Sequence, residues 1–253
     1  MQPKEFRTAG VDLAAQNVRT ALAEISWSAS GAVLKAVRLG VDNDAIVAAA
    51  ERVRVVGIDC PIGWPAAFTD LVIAARLDAV ALDTGGDDAA RRSLAYRLTD
   101  HVVRARTGRW PLSVSADRIA YPAMRCAGLL ARISATGAAV RRDGAHSRIA
   151  EVYPAAALRI WRLPTAGYKK DLSARSALVK VLARQASWLD WAGHQQACVD
   201  SADVLDAVVC ALVAGAVAVG RTAAPAPDEA ALALEEGWVH LPDAEFLRSQ
   251  SGA

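Results

Sequence analysis

The stretch VRVVGID, residues 53–59, decides how this chain folds. Val53, Val55, Val56 and Ile58 are β-branched, stiff at χ1 and well suited to a pleated surface. A nearly continuous apolar run of this length reads as a strand covered on both faces, the mark of a central strand. It ends on an acid, Asp59, and then stops: Pro61, Gly63 and Pro65 follow at once.

Working back towards the start, residues 8–15 (TAGVDLAA) form a second short apolar run, interrupted by Asp12. Residues 20–28 (TALAEISWS) alternate loosely, Ser30-Gly31 supplies a turn, and residues 32–39 (AVLKAVRL) resume an extended pattern. Three strands joined by short turns predict an antiparallel meander. Residues 42–53 then read as a helix, with Asp42 or Asn43 as its cap. The opening segment is therefore β-β-β-α-β, with one acid on the first strand and another at the end of the fourth.

Working forward, the pattern is mostly helical. A basic, polar stretch covers residues 91–110 and a helix is expected over 116–133. RIAEVY, residues 148–153, is a further strand cut off by Pro154. Helices are expected over 155–161, 173–190 and 202–220, a linker over 222–228 (TAAPAPD) and a last strand over 236–241.

The bulk composition narrows the classes. A chain of 253 residues, 53% of them hydrophobic, suits one large domain with a sizeable core. The reading is one domain over 1–253, with a helical insertion at about 66–147 and a C-terminal tail at about 222–253. Basic and acidic residues nearly balance, 29 against 27, so any footprint for a polyanion must be local. Cys60, Cys126, Cys198 and Cys210 form no C-x-x-C pair. That argues against a zinc site and a disulfide framework, and fits a reduced, cytoplasmic setting. The first nine residues are polar and lack the apolar run of a signal peptide. The longest apolar run, residues 207–219, is short of the about 20 residues that span a bilayer, so no membrane partner is expected.

Asp12 sits inside an apolar strand, where an ionised carboxylate is costly unless it is paired, hydrogen-bonded or bound to a metal. Asp59 ends another such strand. Asp203 and Asp206 are three apart, which on a helix puts them on one face at its N-terminal end. Glu151 is a fifth charge in an apolar strand. Each has a plain structural explanation: a turn, a cap, the helix dipole, or an arginine partner. Together they suggest a cluster of oxygen ligands for Mg²⁺ or Mn²⁺, held by Asp12, Asp59, Asp203 and Asp206. Two such ions can drive phosphodiester cleavage. Arg97, Asp100, Arg125 and Lys169 are candidates for holding substrate. Trp64 could stack a base, although core or turn packing explains it better. The four histidines show no ligand spacing, and neither phosphate-binding glycine motif occurs.

Several motifs taken together are similar to a family of predicted RNase H-like nucleases, domain of unknown function family 429. They are VDLAA (11–15), GIDCPIGWP (57–65), YRLTD (96–100), SVSADRIAYPAMR (113–125), EVYPAAALR (151–159), DVLDAVVCAL (203–212) and EGWVHLP (236–242). The resemblance covers nearly the whole chain. It implies an α/β fold with an RNase H-like mixed five-stranded sheet, three strands antiparallel and the rest parallel. In that superfamily an acid sits on the first strand, another on the fourth, and one or two on a late helix. Asp12, Asp59 and Asp203/Asp206 match those places, and Glu151 is carried by the family motif. The implied activity is metal-dependent cleavage of a nucleic acid or nucleotide-like phosphodiester. Two alternatives stand beside it. One is a non-catalytic binding or regulatory protein on the same fold. The other is an actin-like or sugar-kinase-like phosphotransferase, opposed by the lack of glycine after Asp12.

Overall fold

The computed structural model describes residues 5–77, 80 and 88–249. Strands β1 (Phe6–Asp12), β2 (Ala21–Ser28) and β3 (Gly31–Leu39) form the antiparallel meander. Helix α1 (Asn43–Arg52) follows, with the Asp42 carboxylate accepting the Ala45 N–H at 2.9 Å as its cap. Strand β4 (Val55–Asp59) then lies parallel to β1. Helices α2 (Ala66–Arg76), α3 (Asp88–Ala95), α4 (Leu98–Thr107) and α5 (Ala120–Ala135) come before the short β5 (Ile149–Glu151), which pairs parallel with β4. After it come α6 (Pro154–Ile160), α7 (Leu172–Gln185), β6 (Leu189–Asp190), α8 (Gln195–Asp200), α9 (Ala202–Ala218), α10 (Ala230–Glu236) and α11 (Phe246–Ser249).

The result is a mixed sheet flanked by helices on both faces. Its order is β5-β4-β1-β2-β3-β6. Among the described residues it has six strands, not the five expected. The sequence reading runs one helix through residue 190, but α7 ends at Gln185 and β6 adds to the β3 edge, pairing Ala32 with Leu189. No glycine or proline marks that end; it is set by tertiary pairing, with the Trp188 carbonyl accepting the Ala32 N–H at 3.1 Å. The expected last strand over 236–241 is also replaced. Residue 236 closes α10, Gly237 turns at φ 95°, and only a single bridge joins Val239 to Glu151.

Helix α9 lies directly on the sheet, and residues 204–216 are all buried. Gly10 and Gly57 make this possible: a Cβ on Gly10 would stand 2.1 Å from the Ala207 carbonyl oxygen, and one on Gly57 2.5 Å from that of Cys210. Thr8 Oγ1 donates to the Ala211 carbonyl at 2.9 Å, locking the register of helix and strand. On this face α6, α7 and α9 share one core with Trp161 and Phe246. The opposite face is covered by α1 and α5, through residues such as Ile46, Leu129 and Ile133. Among the described residues no helix is long and apolar enough to cross a membrane. The four cysteines are free and buried.

Candidate functional site

The parallel strands β1, β4 and β5 all end on an acid: Asp12, Asp59 and Glu151. The carboxyl edge of such strands is where α/β sheets place ligands. Asp12 and Asp59 are direct register partners across β1 and β4. Adjacent strands run about 4.8 Å apart, which sets two carboxylates side by side. A cavity of about 460 Å³ opens there, lined by Asp12, Asp59, Glu151, Tyr153, Arg118 and Lys169 among others.

The electrostatics of this pair are unusual for surface acids. Burial pushes the Asp12 carboxyl up to about 8; Asp59 and Asp203 add to the rise, while Lys169 and Arg19 oppose it. Burial likewise pushes Asp59 up to about 6, with Lys169 opposing and Glu151 adding. Among the described residues no side chain or amide donates a hydrogen bond to either carboxylate.

The other acids do have partners. Asp203, in the first turn of α9, is gripped by Arg19, whose Nε and Nη2 donate at 2.7 and 3.1 Å. Asp206 is fully buried; Tyr168 Oη donates to it at 3.0 Å and Lys169 Nζ forms an ion pair with its other oxygen. Glu151 accepts from Arg97 Nη1 and Nη2 at 2.8 and 2.7 Å and from the Ile62 N–H at 3.1 Å. The expected four-acid metal cluster is therefore not closed. Among the described residues no three histidine, cysteine or acidic side chains gather closely enough to hold an ion. Arg19 and Lys169 hold Asp203 and Asp206 in ion pairs beside the Asp12–Asp59 pair.

The four substrate-holding candidates are likewise engaged in structure, Lys169 through its pair with Asp206. Arg97 is buried, and its guanidinium N–H groups go to Asp100, Glu151 and the Glu236 carbonyl. A guanidinium has five such donors, so none is left for a phosphate. Burial pulls the Arg97 pKa down, but Glu151 and Asp100 outweigh it and the group stays charged. Asp100 caps α4 by accepting the Arg97 N–H at 2.9 Å. Glu236 holds the start of α2 and adds to that of α4, accepting the Ala66 and Leu98 N–H groups, both at 2.7 Å. Arg125 clamps the loop after β1 to α1, donating to the Ala14 carbonyl, Thr20 Oγ1 and Asn43 Oδ1. Lys169 alone lines the cavity with its side chain half-exposed. Trp64 packs against the core beneath α5.

A family model described as a protein of unknown function, DUF429, matches residues 10–230. The chain belongs to the DUF429 family. No curated protein and no solved structure shows significant similarity to it. The match stops before Glu236 and Val239, yet both help to build the site of this DUF429 protein.

Two site residues escape sequence reasoning. Arg118 lines the cavity and is exposed, with no carboxylate partner among the described residues. It lies in the SADRIAYP segment, seven residues before Arg125, and only its place on the cavity wall separates the two. Tyr168 holds Asp206; burial raises its hydroxyl well above the ordinary tyrosine range, with Asp59 and Asp12 adding, so it remains a proton donor. Its signal was its position next to Lys169.

Proposed function

We propose that this DUF429 protein is a divalent-metal-dependent phosphodiester hydrolase, a nuclease in the broad sense, on an RNase H-like fold. The observation that carries the reading is the Asp12–Asp59 pair: two register-matched carboxylates at a cavity, pushed towards the protonated state by burial, with Lys169 only partly opposing the rise on each. A dication is the partner whose charge removes that repulsion. The donor set fits Mg²⁺ or Mn²⁺, since both groups offer oxygen only. Asp12 and Asp59 would hold the metal, and Asp203 and Asp206 could join on exchanging Arg19 and Lys169 for it. Bound there, one or two such ions supply positive charge for the attacking and leaving oxygens of a phosphodiester. The chain itself brings Lys169 and Arg118 to the cavity wall, where either can neutralise a phosphate oxygen. Glu151 keeps Arg97 and the Ile62 amide in place, so its contribution is to shape the wall.

The test is hydrolysis of a small phosphodiester and of labelled oligonucleotides, with Mn²⁺, Mg²⁺ or EDTA. Cleavage that needs the metal and is lost in Asp12→Asn is the expected result. Equal cleavage by the purified Asp12→Asn protein removes the reading. The non-catalytic alternative is favoured by one observation, the ion pairs that already occupy Asp203 and Asp206. A Mn²⁺-induced stability gain without any hydrolysis would select it.

A further inference from the structure

Helix α6 starts at the acidic cavity and ends somewhere else. Val152 and Tyr153, just before it, line the cavity beside Asp59. Arg159, Ile160 and Arg162, at its far end, line a second and larger cleft of about 820 Å³. Seven helical residues rise about 10 Å, which is about three nucleotide steps at stacked spacing. Arg106 from α4 and Arg221 complete the basic wall of the cleft. Its single acid, Asp243, is paired with Arg221. Arg106, Arg159 and Arg162 are exposed, and among the described residues none has a carboxylate partner. In a chain of net charge +2, three unpaired arginines on one cleft are a concentrated positive field.

Arg162 carries a second, independent signal. It has φ 57°, in the left-handed region that favours glycine. The position is the left-handed residue after α6: its N–H donates to the Arg159 carbonyl and the Leu163 N–H to that of Leu158, both at 2.9 Å. This is the Schellman ending, where glycine is the residue that bears no strain. An arginine there bears a backbone strain that glycine would not.

The rim of the acidic cavity adds an aromatic surface. Tyr96 and Trp110 stack with centroids 4.3 Å apart, and His101 meets Trp110 edge-on at 4.9 Å. Trp110 is 37% exposed, and Pro111 and Leu112 directly after it line the cavity. Its neighbour Arg109 and the cleft residue Arg159 both lie close enough to Tyr153 to act on its hydroxyl, as does Asp59. Unstacked bases lie against exposed aromatic rings, whereas bases inside a duplex cannot.

We propose that the Arg106–Arg159–Arg162 cleft binds the backbone phosphates of a single-stranded nucleic acid, which runs from there past Trp110 into the Asp12–Asp59 cavity. The last part of that path rests on the hydrolase reading above; binding in the cleft does not. The experiment is therefore run in EDTA, where no cleavage intervenes. Fluorescence anisotropy is measured for a labelled thymidine oligonucleotide and for a duplex of equal length, across a salt series. Wild type should prefer the single strand. Arg162→Gly should weaken binding about fivefold, the upper end for one exposed ion pair, and reduce the slope of log affinity against log salt by about 0.7. The same variant should melt at the same or a higher temperature, because glycine relieves the strain; a purely structural Arg162 would leave affinity unmoved. Arg159→Ala should give a similar loss. Unchanged affinity in the folded Arg159→Ala/Arg162→Gly double variant overturns the proposal, as does equal or tighter binding of the duplex. If wild type binds no oligonucleotide the cleft proposal falls alone, since hydrolysis of a small phosphodiester tests the acid pair separately.

Discussion

Asp12 and Asp59 face each other in the register of β1 and β4, and neither carboxylate accepts a hydrogen bond from a described residue. Acids so placed are destabilising when both are charged, and folds retain such placements chiefly at functional sites. The consequences can be measured with and without any substrate.

The first concerns pH. An unfolded aspartate titrates near 3.9, whereas native Asp12 holds its proton up to about 8 and Asp59 up to about 6. Between about pH 4 and 8 the native state thus binds more protons than the unfolded state, and stability falls as pH rises. The stabilising contribution is complete below about pH 4 and gone above about pH 8. Thermal melts of metal-free protein should show that decline. Asp12→Asn should flatten most of it and melt above wild type at pH 8. Parallel curves for the two proteins would contradict the assignment.

The second concerns metal. Ligation requires the deprotonated carboxylates, so Mn²⁺ should raise the melting temperature more at pH 8 than at pH 5. EDTA should reverse the gain, and Asp59→Asn should lose most of it. In the hydrolase assay the same substitution should lower turnover by about a hundredfold or more, as expected when several kcal/mol of charge stabilisation are removed.

The third separates the two halves of the Lys169–Asp206 pair. Lys169→Met leaves a fully buried carboxylate with only Tyr168 for company. Removing one partner of a buried pair costs about 3–5 kcal/mol; half-exposure of the lysine brings this to about 2 kcal/mol. Asp206→Asn keeps the tyrosine bond and leaves the lysine in water, so it should cost under about 1 kcal/mol. Urea unfolding at pH 7 measures both, and the reverse order would refute the burial argument.

The fourth tests the buried network. Arg97→Met strands Glu151 and Asp100 without a cation and should cost about 3–5 kcal/mol. Arg97→Lys should recover little of it, because an ammonium cannot reproduce the planar fork that meets both carboxylates at once. Full rescue by lysine in denaturant titrations would reduce the network to simple charge.

The fifth tests the contact of helix and sheet. A Cβ at Gly10 meets the backbone of α9, which cannot rotate away as a side chain would. Gly10→Ala should lose about 3 kcal/mol, the upper range for overpacking, with the loss visible in chemical denaturation.

Much of this architecture is legible in the order of residues. The β-branched runs ending in Asp12 and Asp59, the Asp42 cap and the apolar run of α9 depend on propensity and periodicity, which act over a few neighbours. The same local rules place Asp203 and Asp206 one turn apart at the start of α9. They say nothing about where the charges find partners. Glu151 meets Arg97 across 54 positions of chain, and Asp203 meets Arg19 across 184. Those pairings exist only because particular helices pack against particular strand ends, and they decide which acids stay free. So the sequence by itself determined β1 to β5, the late helix and the acids they carry. Tertiary structure alone decided that Asp12 and Asp59 share one register position, that Asp203, Asp206 and Glu151 are held by cations, that β6 joins the sheet, and that Arg106, Arg159 and Arg162 line one cleft. The reason is range: local preferences settle each element, whereas long-range packing settles which side chains meet.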